Sequence, residues 1–194
     1  KLKNKYIKIN KRKKSFKSPT YFIADIGANH DGSLSRAKKL IRISKNIGAD
    51  AVKFQHFKAD TIVSDKGFKS LNLVTHQSKW AKSTFDVYND ASINIKWTKY
   101  LRDYSNKIGI DFMTSPYSFE LADQIEKYVH AIKIGSGDIN WISFLKHLSK
   151  KKLPIIIATG SSTLKEVDEA VKILTKNKRM IVLMQCNTNY TASN

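Results

Sequence analysis

Short, almost continuous apolar runs recur along the chain. Between them lie segments whose apolar residues fall three and four positions apart. The runs are YFIADIG at 21–27, ADAVKFQ at 49–55, IDFMTSP at 110–116, HAIKIGSG at 130–137, LPIIIATG at 153–160 and MIVLMQCN at 180–187. Unbroken apolarity over so short a length predicts strands buried on both faces. SLSRAKKLIRISKNIG after the first run places Leu34, Ala37, Leu40, Ile41 and Ile47 on one helical face and stops at Gly48. INIKWTKYLRDYSNKIG at 93–109, SFELADQIEKYV, WISFLKHLSKKK and TLKEVDEAVKILTK repeat that period. Ser118 is an expected N-cap, and Thr163 with Glu166 forms a capping box.

Strand and helix alternating in this way imply parallel pairing with right-handed crossovers. Polar residues end almost every strand, and no G-x-G-x-x-G turn follows the first, so a (β/α)₈ TIM barrel is favoured over an open doubly wound sheet. Only about six βα units are present. The expected organisation is a basic N-terminal tail at 1–18 and a barrel domain at 19–194, truncated before its last strands. Residues 56–92 interrupt the rhythm, either as a lid or substrate loop or as a surface excursion with a small helix.

Charge changes the picture next. The 194 residues carry a net charge of +19. Residues 1–17 hold nine Lys or Arg and no acid, the pattern of a solvated tail. The basic body favours anionic ligands, phosphorylated metabolites ahead of nucleic acid, for which no recognition motif appears. No apolar run approaches the roughly twenty residues that cross a bilayer, so a membrane is not expected as a partner. The single Cys186 excludes an internal disulfide and fits a cytoplasmic setting.

The chemistry of a parallel barrel lies at the C-terminal ends of its strands. The runs place Asp25, Lys53, Gln55, Thr114, Ser115, Lys133, Ser136, Asp138, Thr159, Ser161, Asn187 and Tyr190 there. Lys53 and Lys133 sit inside apolar strands, where an ammonium needs an anion or a depressed pKa. Hydroxyls and glycine-rich turns beside them suit a phosphate together with a carboxylate. A lysine paired permanently with a carboxylate such as Asp25 is the plainer alternative. Asp25 and Asp138 are the acids available for proton transfer or sugar hydroxyls, although Asp138 could instead cap the helix near Trp141. The five histidines show no metal-ligand spacing.

IADIGANHDG, GADAVKFQ, GIDFMTSPY, KIGSGDI, ATGSST and CNTNY, in this order, resemble the sialic acid synthase family, which includes N-acetylneuraminate, legionaminic acid and pseudaminic acid synthases. The resemblance implies condensation of phosphoenolpyruvate with an N-acetylated amino sugar of the N-acetylmannosamine type, in capsule or lipopolysaccharide biosynthesis. The product is a nine-carbon 2-keto sugar acid, with phosphate released. It further implies a divalent metal, Mn²⁺ or Mg²⁺, with ligands beyond residue 194, a homodimer, and a C-terminal antifreeze-like domain. By position, Lys53, Thr114, Lys133, Ser136 and Ser161 correspond to phosphoenolpyruvate contacts. Gln55, Asn187 and Tyr190 correspond to sugar contacts. Asp25 and Asp138 stand where relatives carry glutamate, one methylene longer, as catalytic residues. A Schiff-base aldolase and an anion- or RNA-binding fragment are the alternatives that the residues leave open.

Overall fold

A computed structural model of the protein describes residues 6–70, 80–176 and 180–188. The chain begins with an antiparallel hairpin, β1 (Ile7–Ile9) and β2 (Arg12–Lys14). A parallel sheet follows, built from β3 (Ile23–Gly27), β4 (Ala51–His56), β5 (Asp111–Pro116), β6 (Ala131–Ile134), β7 (Ile155–Ala158) and β8 (Ile181–Met184), paired strictly in chain order. The helices α1 (Leu34–Asn46), α5 (Trp97–Ile108), α6 (Phe119–Ile125), α7 (Ile142–Leu148) and α8 (Leu164–Thr175) connect successive strands. The segment between β4 and α5 adds α2 (Ala59–Ile62), α3 (Asp65–Ser70) and α4 (Thr84–Ala91).

Local chemistry sets these boundaries. The Ser33 side chain accepts from Arg36 N–H at the start of α1, Ser118 accepts from Leu121 N–H at α6, and Thr163 and Glu166 cap α8 reciprocally. Gly109 ends α5 in the left-handed conformation, φ 74°, which a side chain would disfavour.

Side-chain alternation divides the apolar residues into two bodies. Val52, Phe54, Phe112, Ile132, Ile134, Ile155 and Ile157 face the helices and form the larger core with Ile41, Leu101, Ile125, Leu145 and Leu174. Ala51, Met113, Ala131 and Ile156 face the other way. In a closed strand cylinder that second face is the interior, filled at one end by side chains and open to chemistry at the other. In-register pairing puts Asp25 beside Lys53, Lys53 beside Met113 and Gln55 beside Ser115, all on this inner face.

The hairpin corrects the expectation of a solvated tail. Ile7 and Ile9 are 8% and 3% exposed and pack on Ala51, Met113, Ala131 and Ile156, at the end of the interior where the strands begin. Burying an isoleucine stabilises by roughly 1.5–3 kcal/mol, enough to order a short hairpin whose other residues are all charged but Asn10. Arg12 pairs with Asp50 and reaches Asp111 Oδ2 at 3.8 Å. Asn10, at φ 52° in the hairpin turn, donates to Asp111 at 2.8 Å.

Candidate active site at the strand C-termini

The inner face rises from this plugged base to the strand ends. Lys53, in β4, is buried, and its Nζ lies 2.8 Å from Asp25 Oδ1 on β3, a carboxylate 62% exposed at the mouth. Lys133, in β6, donates to the carbonyl of Ile134 at 3.0 Å. No carboxylate of the described residues reaches ion-pair distance of it. Burial and the nearby Lys53 ammonium push its pKa down, against weaker pulls from Cys186, Asp25 and Asp138. The two lysines therefore differ. One carries a carboxylate partner, as the plainer alternative anticipated, and the other is a partly desolvated cation without one.

Asp138 ends the turn Ser136–Asp138 that follows β6. It does not cap α7, which has no side-chain cap. Burial pushes its carboxyl pKa up, opposed by Lys133 and by a backbone hydrogen bond from Gly135. Ser136 Oγ accepts from Gly160 N–H at 3.1 Å. Ser161 lies at φ 50°, left-handed and strained for a serine, and its Oγ is 2.6 Å from Thr188 Oγ1. A Cβ on Gly160 would stand 2.7 Å from Thr188 Cγ2, 2.9 Å from the Cys186 carbonyl and 3.0 Å from Ser136 Oγ. Gly160 thus lets the ends of β6, β7 and β8 close on one another. On the opposite side, Gln55 donates to Tyr117 OH at 3.3 Å. Tyr117 packs on Phe57 and Phe57 on Tyr88, which ties Gln55 to α4 of the inserted segment.

Of the anticipated residues, Asp25, Lys53, Gln55, Lys133, Ser136, Asp138 and Ser161 stand at this end of the strands. Thr114 does not belong with them. It is fully buried on the helix-facing side, donates to the Phe54 carbonyl at 3.0 Å and lies 2.7 Å from His56 Nδ1. Its neighbour Ser115 faces inward. Strand parity carried the signal, since a residue in register with Gln55 shares its face. Asn187 is exposed in the segment after β8, and Tyr190 lies outside the described residues. Thr188, which the sequence also puts at the end of the sixth strand, joins the site through Ser161, and Tyr117 was not anticipated as part of it.

The histidines point elsewhere. His56 bridges Thr98 Oγ1 at 2.8 Å and Thr114 in the helix-facing core, where burial pushes its pKa down to about 3. His30 is buried against Phe54 and Trp97, His130 lies beside Asp111 at the base, and His147 pairs with Asp123. His76 lies outside the described residues. Among the described residues, no group of three or more His, Cys, Asp or Glu side chains is arranged to hold a metal ion. No helix among them is long and apolar enough to cross a membrane.

Residues 40–194 match the model of the NeuB family. The chain belongs to the NeuB family. It is 36% identical over 178 residues to the N,N'-diacetyllegionaminic acid synthase of Campylobacter jejuni, covering 89% of this chain and 53% of that protein. It is 32% identical over 179 residues to the mouse N-acetylneuraminate-9-phosphate synthase, covering 90% and 48%. The sialic acid synthetase of Leptospira borgpetersenii, solved in complex with citrate, superposes with a TM-score of 0.85 at 24% identity, covering 98% of this chain and 62% of that one. The NeuB chain here spans about half the length of the curated relatives it matches, and its six-stranded parallel sheet has the TIM-barrel type of fold.

Proposed function

We propose that this NeuB chain carries the phosphoenolpyruvate site of a sialic acid-type synthase. The protein joins C3 of phosphoenolpyruvate to the aldehyde carbon of an N-acetylated amino sugar. Water adds at C2, the C2–O bond to the phosphoryl group breaks, and phosphate leaves with a nine-carbon 2-keto acid as the other product. The observation that carries this reading is Lys133, a partly desolvated ammonium beside Lys53 and without a carboxylate partner at the strand ends. A phosphorylated enol acid supplies the missing negative charge, and its second anionic group lies within the field of Lys53.

Each neighbour then has a task. Lys53, shared with Asp25, neutralises the second anionic group. Ser136, Ser161 and the N–H groups of the glycine turns orient the ligand, with Gly160 bringing them together. Asp138, held toward its protonated form, is a proton donor. Asp25 and Gln55, on the opposite side with Tyr117 and α4, face the sugar. Being one methylene shorter than glutamate, both aspartates need a closer approach or a bridging water to act on it. The inserted segment, tied to Gln55 through Tyr117, Phe57 and Tyr88, contributes to the choice of sugar. The reading includes a cytoplasmic homodimer and a divalent ion, Mn²⁺ or Mg²⁺. The described residues do not form a site for that ion, and no step above passes through it.

Calorimetric titration of phosphoenolpyruvate tests the reading. Lys133→Met weakens binding roughly ten- to a hundredfold, the scale of one charged hydrogen bond. The exposed Lys152→Met leaves it unchanged. Equal affinity in the parent and Lys133→Met removes Lys133 from the anion site.

A further inference from the structure

Outside the buried contacts of Asp50 and Asp111, the base of the sheet is covered with exposed cations. No acid occurs in the chain before Asp25. The hairpin seats Ile7 and Ile9 inward and leaves Lys8, Lys11 and Lys13 in solvent, with Lys14 and Lys17 following. Among the described basic residues of this segment, Arg12 alone reaches a carboxylate. Lys150 and Lys152, between α7 and β7, are exposed along a groove of about 480 Å³ that Tyr6 and Lys8 also line. Lys151 between them turns inward to Asp123 and Glu126. An apolar tip accompanies this charge. Residues 15–18 form a closed turn, in which Ser18 N–H donates to the Ser15 carbonyl at 3.0 Å and Ser15 N–H to Ser18 Oγ at 3.0 Å. Phe16 and Lys17 take its two central positions, and Phe16 is fully exposed. Phe22, exposed as well, precedes β3 at the same end.

Single apolar residues are ordinary on a protein surface. A phenyl ring held out on an ordered turn, flanked in sequence by lysines without carboxylate partners, matches a bilayer interface. The acyl boundary takes the ring and anionic headgroups take the ammoniums. Single-stranded nucleic acid also pairs rings with cations, but it stacks its bases in grooves, whereas Phe16 stands on a projecting turn. We propose that the base of the sheet is a peripheral docking surface for an anionic lipid bilayer. Phe16 enters the boundary between headgroups and acyl chains. Lys8, Lys11, Lys13, Lys14 and Lys17 neutralise headgroup phosphates, and Lys150 and Lys152 widen the contact. Attachment of this kind needs no spanning helix. The strand C-termini point the other way, so the mouth stays open to water. The proposal does not depend on what the mouth binds.

Vesicle co-sedimentation tests it, with phosphatidylcholine vesicles containing about 30% phosphatidylglycerol, or none, at about 0.1 M salt. The protein is expected to bind the anionic vesicles at least tenfold more tightly than the neutral ones, and to release them as salt rises. Replacing both Lys13 and Lys17 by Gln weakens binding roughly twentyfold, at about fivefold for each lysine near the surface. Phe16→Ser weakens it about five- to tenfold. Lys96→Gln with Lys165→Gln, an equal loss of charge at helix starts near the mouth, leaves it unchanged. In Phe16→Trp, the emission added to that of the parent is quenched by lipids with brominated acyl chains. All variants replace exposed side chains, and an unchanged circular dichroism spectrum checks their folding. Equal binding to neutral vesicles, or equal losses in the Lys96 and Lys165 variant, overturns the docking surface. Phe16→Trp emission that brominated lipid leaves unquenched overturns the insertion of Phe16. Tight binding of a single-stranded oligouridylate that the Lys13 and Lys17 variant loses, without vesicle binding, overturns the bilayer and assigns the surface to RNA.

Discussion

Buried charge occupies both ends of the parallel sheet's inner face, and the two ends treat it differently. At the base, Asp111 is 4% exposed at its side chain and fully engaged. Tyr21 OH donates to it at 2.6 Å, Asn10 donates from the hairpin turn, Arg12 approaches, and His130 lies 3.7 Å away. Asp50 beside it takes Arg12 and the backbone N–H of Phe22. At the mouth, Lys133 has a carbonyl and no carboxylate, Lys53 leans on a carboxylate mostly in water, and Ser161 holds a strained backbone angle. Satisfied charge at one end and unsatisfied charge at the other separates the part of the interior that holds the fold from the part that awaits a ligand.

Removing the carboxylate at the base should break this contrast from its stable side. Asp111→Ala strips the partner from Tyr21, Asn10 and part of Arg12 at once, loosening the hairpin that covers Met113 and Ile156. The expected loss is about 3 kcal/mol in denaturant unfolding, the scale of dismantling a buried, multiply bonded charge. Phosphoenolpyruvate affinity should stay unchanged under conditions where the variant is folded. A comparable fall in affinity would mean that the two ends are coupled. At the mouth, Gly160→Ala forces a methyl into Thr188, the Cys186 carbonyl and Ser136 Oγ. Two of these atoms belong to β8-side segments that must move, so about 2 kcal/mol of destabilisation is expected. Unlike Asp111→Ala, this change also weakens phosphoenolpyruvate binding, because it parts the turns that carry Ser136 and Ser161.

How much of this was legible in the sequence follows the same division. The parallel frame was readable because the four inner strands, β4 to β7, are buried on both faces, so their apolar runs are nearly unbroken, while the edge strands β3 and β8 are only partly buried. The lysines were readable because a cation inside AVKFQ or AIKIG contradicts its surroundings. Thr114 was misplaced because an unbroken apolar strand gives no clue to which parity faces the helices. Only the register of Gln55 with Ser115 settles it. The hairpin was hidden beneath its own charge. Nine basic residues outweigh the alternation of Ile7 and Ile9 around Lys8, and it is two long-range acids, Asp50 and Asp111, that make Arg12 structural. The closure of Ser136, Gly160 and Thr188 joins turns far apart in the chain, which periodicity cannot see.

The smallest expected effect has the opposite sign, and it sharpens the comparison most. Lys133→Met keeps most of the length of the side chain and removes a charge that no carboxylate of the described residues pairs with. The variant should be more stable than the parent by about 1 kcal/mol at neutral pH, since an apolar group replaces a desolvated cation. The pH dependence follows from the direction of the shift. Lys53, Asp25, Asp138 and Cys186 are the groups acting on Lys133, and together with burial they leave its folded pKa below the usual lysine value of 10.5. Between that depressed value and 10.5 the unfolded chain binds more protons than the folded one, so the parent gains stability as the pH rises. The advantage of Lys133→Met should therefore be largest below this window and shrink through it, measured as the difference in unfolding free energy between the two proteins. A loss of stability in Lys133→Met at neutral pH would instead place Lys133 with Asp111, among the charges that hold the fold, and would leave the mouth without the unbalanced cation on which its chemistry depends.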